Sequence, residues 1–87
     1  MKAVTMTVPV ISTAHAPSHD ALIAASDSLL VAYRDGAVYY VSEEGFEEPI
    51  EWMRPISRWV RREHPDSLWV HLDSIGDVID ELPVYEW

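Results

Sequence analysis

Glu43, Glu44, Glu47, Glu48 and Glu51 fall within nine positions and are followed at once by Trp52. Carboxylates this dense can share a cation, exchange protons with a substrate, or attract a basic surface. In a helix, Glu43, Glu47 and Glu51, or Glu44 and Glu48, would be i, i+4 neighbours, and each like-charge pair costs about 0.2–0.5 kcal/mol. The run is therefore tolerated best in a solvated loop or opposite a basic partner. A tryptophan beside it is a suitable apolar anchor. Glu43, Glu44, Glu47, Glu48, Glu51 and Trp52 are the candidate partner-binding residues.

Other groupings carry weaker chemistry. His15 and His19 stand four apart beside Asp20, a spacing that can hold a metal on a helix, but Pro17 interrupts the turn between them and no HExxH element follows. With Ser12 and Ser18 they also contain the residue types of a hydrolytic triad, without a nucleophile elbow. Gly36, Gly45 and Gly76 are the only glycines, so phosphate-cradling loops are absent. Asp73, Asp77, Asp80 and Glu81 lack the spacing of a calcium loop. Arg54, Arg58, Arg61 and Arg62 make a basic stripe diluted by Glu63 and Asp66, which fits a solvated helix face. No catalytic residue, cofactor or metal is expected, and an enzyme is not the reading favoured.

These residues sit in a chain of 87, with fifteen acids against six Lys and Arg and a formal charge of −9. The charge disfavours nucleic acid and anionic lipid as direct partners and favours a basic protein. Absence of cysteine excludes a disulfide framework. No apolar run approaches the roughly 20 residues of a membrane helix, and polar residues interrupt any signal-peptide core at the N-terminus. A cytoplasmic protein of one domain, residues 1–87, is expected.

The elements that must position these groups follow from pattern. Ala3 to Thr13 is rich in Val, Thr and Ile and predicts a strand, confined by Pro9 to a sheet edge, a bulge or two pieces. Ser18 is a suitable N-cap for a helix from His19 to about Asp27. Leu29–Tyr33 and Ala37–Val41 flank Arg34-Asp35-Gly36 and predict a hairpin. Trp52, Met53, Ile56, Trp59 and Val60 form a helical stripe. Pro55 starts that helix near 52–54, and His64-Pro65 ends it after Glu63. Leu68, Val70 and Leu72 alternate with Trp69, His71 and Asp73, a strand with two different faces. The tail 78–87 is too apolar to hang free and should pack on the domain. The order β-α-β-β-α-β with that tail predicts an α+β, ferredoxin-like two-layer sandwich: an antiparallel sheet with two helices on one face.

Two stretches, Ile11-Ser12-Thr13-Ala14-His15 and Trp69–Asp73 through Gly76-Asp77-Val78 to Leu82-Pro83-Val84-Tyr85-Glu86-Trp87, resemble a family of small bacterial proteins of unknown function, often plasmid- or phage-borne. The middle of the chain lies outside this resemblance, which brings no catalytic residue. It implies mobile-element biology, in which small acidic proteins inhibit host defence complexes by occupying nucleic-acid-binding surfaces. The expected function is therefore an inhibitor of the anti-CRISPR or anti-restriction type, a nucleic-acid mimic that binds a basic protein or complex. The alternative is a structural or oligomerising interaction domain, a homodimer included.

Overall fold

A computed structural model describes residues 8–24, 29–41 and 50–86. Four strands form one mixed sheet: β1, Val10–Ser12; β2, Leu29–Tyr33; β3, Gly36–Tyr40; β4, Trp69–Asp73. Two helices accompany them, α1 over His19–Ala24 and α2 over Arg54–Glu63. Ser18 caps α1 as its residue type predicts, its Oγ accepting from the Ala21 N–H at 3.0 Å. Pro55 lies in the first turn of α2, where its missing N–H is harmless, and a 3-10 turn over Glu51–Met53 leads into it.

The strand order is β1-β4-β3-β2. β2–β3 and β3–β4 are antiparallel, whereas β1 runs parallel to β4, with Val10 opposite His71 and Ser12 opposite Asp73. This corrects the ferredoxin-like expectation: that fold has a wholly antiparallel sheet with its first strand in the interior, whereas here the first strand is at the edge and pairs in parallel. Pro9 supplies a physical reason, because a central strand needs donors on both sides and proline has none. Its carbonyl is used instead, accepting from the His71 N–H at 2.9 Å. The predicted strand stretch 3–7 and the predicted helix end 25–27 lie outside the described residues.

Period-two alternation sends one face of the sheet into the core. Ile11, Ala37, Tyr39, Val41, Val70 and Leu72 are buried there with Leu22 of α1 and Met53, Ile56, Trp59 and Val60 from the α2 region, so both helices lie on that face. Tyr39 is its centre: fully buried, its hydroxyl donates to the Leu22 carbonyl and ties sheet to α1. Burial also raises the Tyr39 pKa, keeping the hydroxyl a donor.

The hairpin turn is Arg34-Asp35, and Gly36 belongs to β3, paired with Tyr33 on one side and Asp73 on the other. The sequence places this glycine in the turn, but its role is close approach. A Cβ there would lie 2.0 Å from the Leu72 carbonyl oxygen. As expected, the apolar tail packs on the domain: Leu82 is buried, and the Tyr85 N–H donates to the Ala14 carbonyl at 2.8 Å.

Candidate functional site

The face of the sheet turned away from the helices carries an ordered set of side chains. Val10, His71, Val38 and Val31 form one row across all four strands, Tyr40 and Trp69 a second, and Ser12, Asp73, Gly36 and Tyr33 a third. Val31 is 49% exposed and Val10 45%, and no described helix covers this face. Tyr40 and Trp69 meet edge to face with ring centroids 5.4 Å apart, and Tyr33 and His71 do so at 5.7 Å. Edge-to-face pairs of this kind add about 0.5–1.5 kcal/mol beyond the area they bury.

At the turn end of this face, Tyr33, His71 and Asp73 form one hydrogen-bonded group. The Tyr33 hydroxyl donates to Asp73 Oδ2, so its contact with His71 requires the imidazole Nε2–H to donate to the hydroxyl oxygen. Asp73 Oδ1 accepts the Ile75 N–H at 3.0 Å, and His71 Nε2 stands 3.8 Å from Asp73 Oδ2. The Ile75 amide, then the Tyr33 hydroxyl and the nearby imidazole, hold the Asp73 carboxyl below its usual range against the opposing effect of desolvation. Tyr33 moves the other way, pushed up to about 12 by desolvation, by its bond to Asp73 and by the charges of Asp73 and Asp35. The Tyr33 hydroxyl therefore stays protonated as a hydrogen-bond donor. The three side chains thus form one hydrogen-bonded network on the uncovered face.

Alternation along β4 already places Trp69, His71 and Asp73 on one face in the sequence. Tyr33 is not legible in the same way, because its facing depends on which two residues make the turn.

The candidate residues of the acidic run are divided by the structure. Glu51 is exposed at the start of the 3-10 turn, while Trp52 is half-buried and packs edge to face on Tyr39 at 5.7 Å. Glu43, Glu44, Glu47 and Glu48 lie outside the described residues.

Several members of the remaining groupings have structural partners. His15 is buried, its Nδ1 donating to the Pro83 carbonyl at 2.8 Å and its Nε2 accepting the Ile79 N–H at 2.9 Å. Ser12 Oγ accepts the Ala14 N–H at 3.1 Å. Next to them is a recess of about 140 Å³ lined by Ser12, Thr13, Ala14 and Tyr85, well short of the roughly 300–1,000 Å³ usual for a ligand pocket. Among the described residues no group of three His, Asp or Glu side chains is placed to hold a metal. Arg62 pairs with Glu63 at 3.1 Å and with Glu81. Arg61 is half-buried, which modifies the expectation of a fully solvated arginine face. No helix among the described residues is long and apolar enough to cross a membrane.

Residues 8–87 match the model of a family described as the C-terminal domain of a family of unknown function, DUF5983. The chain belongs to this family. The span matched by the DUF5983 domain takes in the acidic run as well as the two end segments. No curated protein and no solved structure matches the chain.

Proposed function

We propose that this DUF5983 domain is a non-enzymatic binding module for a basic protein surface. The observation that carries the reading is that two features adjoin in the chain. β3 carries Val38 and Tyr40 of the uncovered face, and the chain passes from Val41 directly into the acidic run that ends at Glu51. From Asp35 to Glu51 there are six acids and no Lys or Arg. Aromatic and β-branched side chains supply contact area there, and the charge steers a cationic partner toward it.

In its narrower form the partner is a nucleic-acid-binding surface of a host defence complex, and the domain acts in the cytoplasm as a mobile-element inhibitor of the anti-CRISPR or anti-restriction type. Duplex DNA presents one negative charge per roughly 1.7 Å of axis, a spacing that a row of carboxylates can imitate in part. The charge and the resemblance to plasmid- and phage-borne proteins support this form.

The test is capture of the partner at about 50 mM and about 500 mM salt, followed by binding of the purified partner in competition with duplex DNA. Binding should weaken with salt, compete with DNA, and fall at least about tenfold on reversal of Glu43, Glu47 and Glu51 to Lys. Inhibition that survives this reversal would sink the proposal.

A second reading, a structural or oligomerising domain, is favoured by the exposed Val78 and Val84 of the tail segment. Its test is mass in solution, with Val78→Asp and Val84→Asp expected to return any dimer to monomer.

A further inference from the structure

The two edges of the sheet are finished differently. Along β1, the Ser12 N–H donates to the Asp77 carbonyl at 2.8 Å, and Ile11 bridges Asp77 in parallel. Gly76 comes so close that a Cβ would lie 2.3 Å from the Ile11 carbonyl oxygen. The chain itself therefore closes that edge. β2 is the last strand at the opposite side, and among the described residues no strand pairs with its outer edge.

The geometry of β2 shows which backbone groups are open. Tyr33 and Gly36 flank a two-residue turn, and bonding alternates along an antiparallel pair. Tyr33 and Val31 therefore bond inward to β3, while Ala32 turns its N–H and carbonyl outward. Leu30 is 60% exposed, and Val31, Ala32 and Tyr33 are exposed with it. Leu29–Tyr33 contains no charge and no proline; a register shift between Leu29 and Val31 guards its first part and leaves Val31–Tyr33 in regular pairing. An apolar edge of this kind is a template for another strand.

Charge selects the occupant. A second copy would set −9 against −9. Between Leu29 and Glu51 there are six acids and one base, Arg34, placed at the turn. We propose that β2 is a strand-addition site for an extended segment of a partner protein in which apolar residues alternate with Lys or Arg. The assignment rests on the basic-partner reading above and specifies how that partner is held. Ala32 sets the register, the apolar residues of the incoming strand continue the uncovered face beside Val31 and Tyr33, and its basic residues complement the chain's net charge of −9.

The probe is a synthetic peptide of about ten residues alternating Val with Lys or Arg, with a control of the same composition in two blocks. On the full chain, saturating alternating peptide should slow amide exchange at Ala32 by about tenfold or more, and Ala32→Pro should weaken binding by a similar factor. Ala32→Pro removes an outward donor, so the β2–β3 ladder is retained; should the variant unfold, exchange at Ala32 in the unaltered protein decides. An Ala32 exchange rate unchanged by bound peptide overturns strand addition. If reversal of Glu43, Glu44 and Glu47 abolishes peptide binding while Ala32 stays unprotected, strand addition falls and the basic-partner reading stands. A dimer in solution that Ala32→Pro dissociates also overturns it, in favour of self-pairing. Partner binding that survives the glutamate reversal removes the reading itself.

Discussion

His15 and Pro83, 68 positions apart, are joined by a hydrogen bond of 2.8 Å from the imidazole Nδ1 to the proline carbonyl. The carbonyl can only accept and the Ile79 amide can only donate, so both bonds fix one tautomer with the proton on Nδ1. The ring thereby holds the tail at two places against the start of the domain.

Replacing His15 by Leu leaves both backbone groups without a partner. The expected loss is about 2–4 kcal/mol, and urea denaturation should show a lower midpoint with a similar slope. A loss confined to the tail would appear as early amide exchange at Ile79 and Tyr85 with the sheet still protected.

Tyr33→Phe tests the polar group on the uncovered face. The carboxyl of Asp73 titrates below its unfolded value, so it contributes stability that is present above that unfolded value and lost as pH falls through the lowered one. Without the Tyr33 hydroxyl the Asp73 titration, followed by NMR, should move upward and the acid unfolding midpoint with it. Tyr33 itself is raised to about 12, so its contribution is complete below about 10 and lost as pH climbs toward 12. The phenylalanine variant should lose part of that alkaline slope.

Gly36→Ala is expected to be severe. The added methyl meets a backbone oxygen at 2.0 Å, which no rotamer change relieves, so β3 and β4 must separate at their junction with Tyr33 and Asp73. Thermal denaturation should register a loss of about 3 kcal/mol or more. Wild-type stability would contradict the pairing of Gly36 with Asp73.

Tyr39→Phe removes the bond between β3 and the Leu22 carbonyl while keeping the ring in the core. A loss of about 1–2 kcal/mol follows from the missing donor and the stranded acceptor. Exchange in α1 should accelerate more than exchange in β4, because the bond ties α1 to the sheet.

Much of the secondary structure is legible in local chemistry. Pro55 marks the start of α2, Ser18 caps α1, and alternation around Val70 gives β4 its two faces. Strand order is not local: β1 pairs with β4 because residues 10 and 71 meet, and nothing within either strand encodes that partner. The hairpin register illustrates the same limit on a smaller scale. Assigning Gly36 to the turn rather than to β3 leaves the facing of Tyr33 undetermined, since a shift of one residue exchanges the two faces. Two of the three residues of the Tyr33–His71–Asp73 group are therefore visible in β4, and the third appears only once the turn is placed. Of the acidic candidates, the structure describes Glu51 and Trp52 alone, and it assigns Trp52 a packing role against Tyr39 that charge patterning does not reveal.

The closure of the β1 edge by residues 76–77, together with the His15–Pro83 bond, also sets when this protein can finish folding. During synthesis the hairpin of β2 and β3 can form as soon as it leaves the ribosome, since its pairing is between near neighbours. Residues 10–15 must wait for partners made 68 positions later, a delay of roughly 3–14 s at about 5–20 residues per second. Until then the β3 edge that β4 takes up and the core face of the hairpin are both uncovered. Chaperones would meet this nascent form before the completed domain exists.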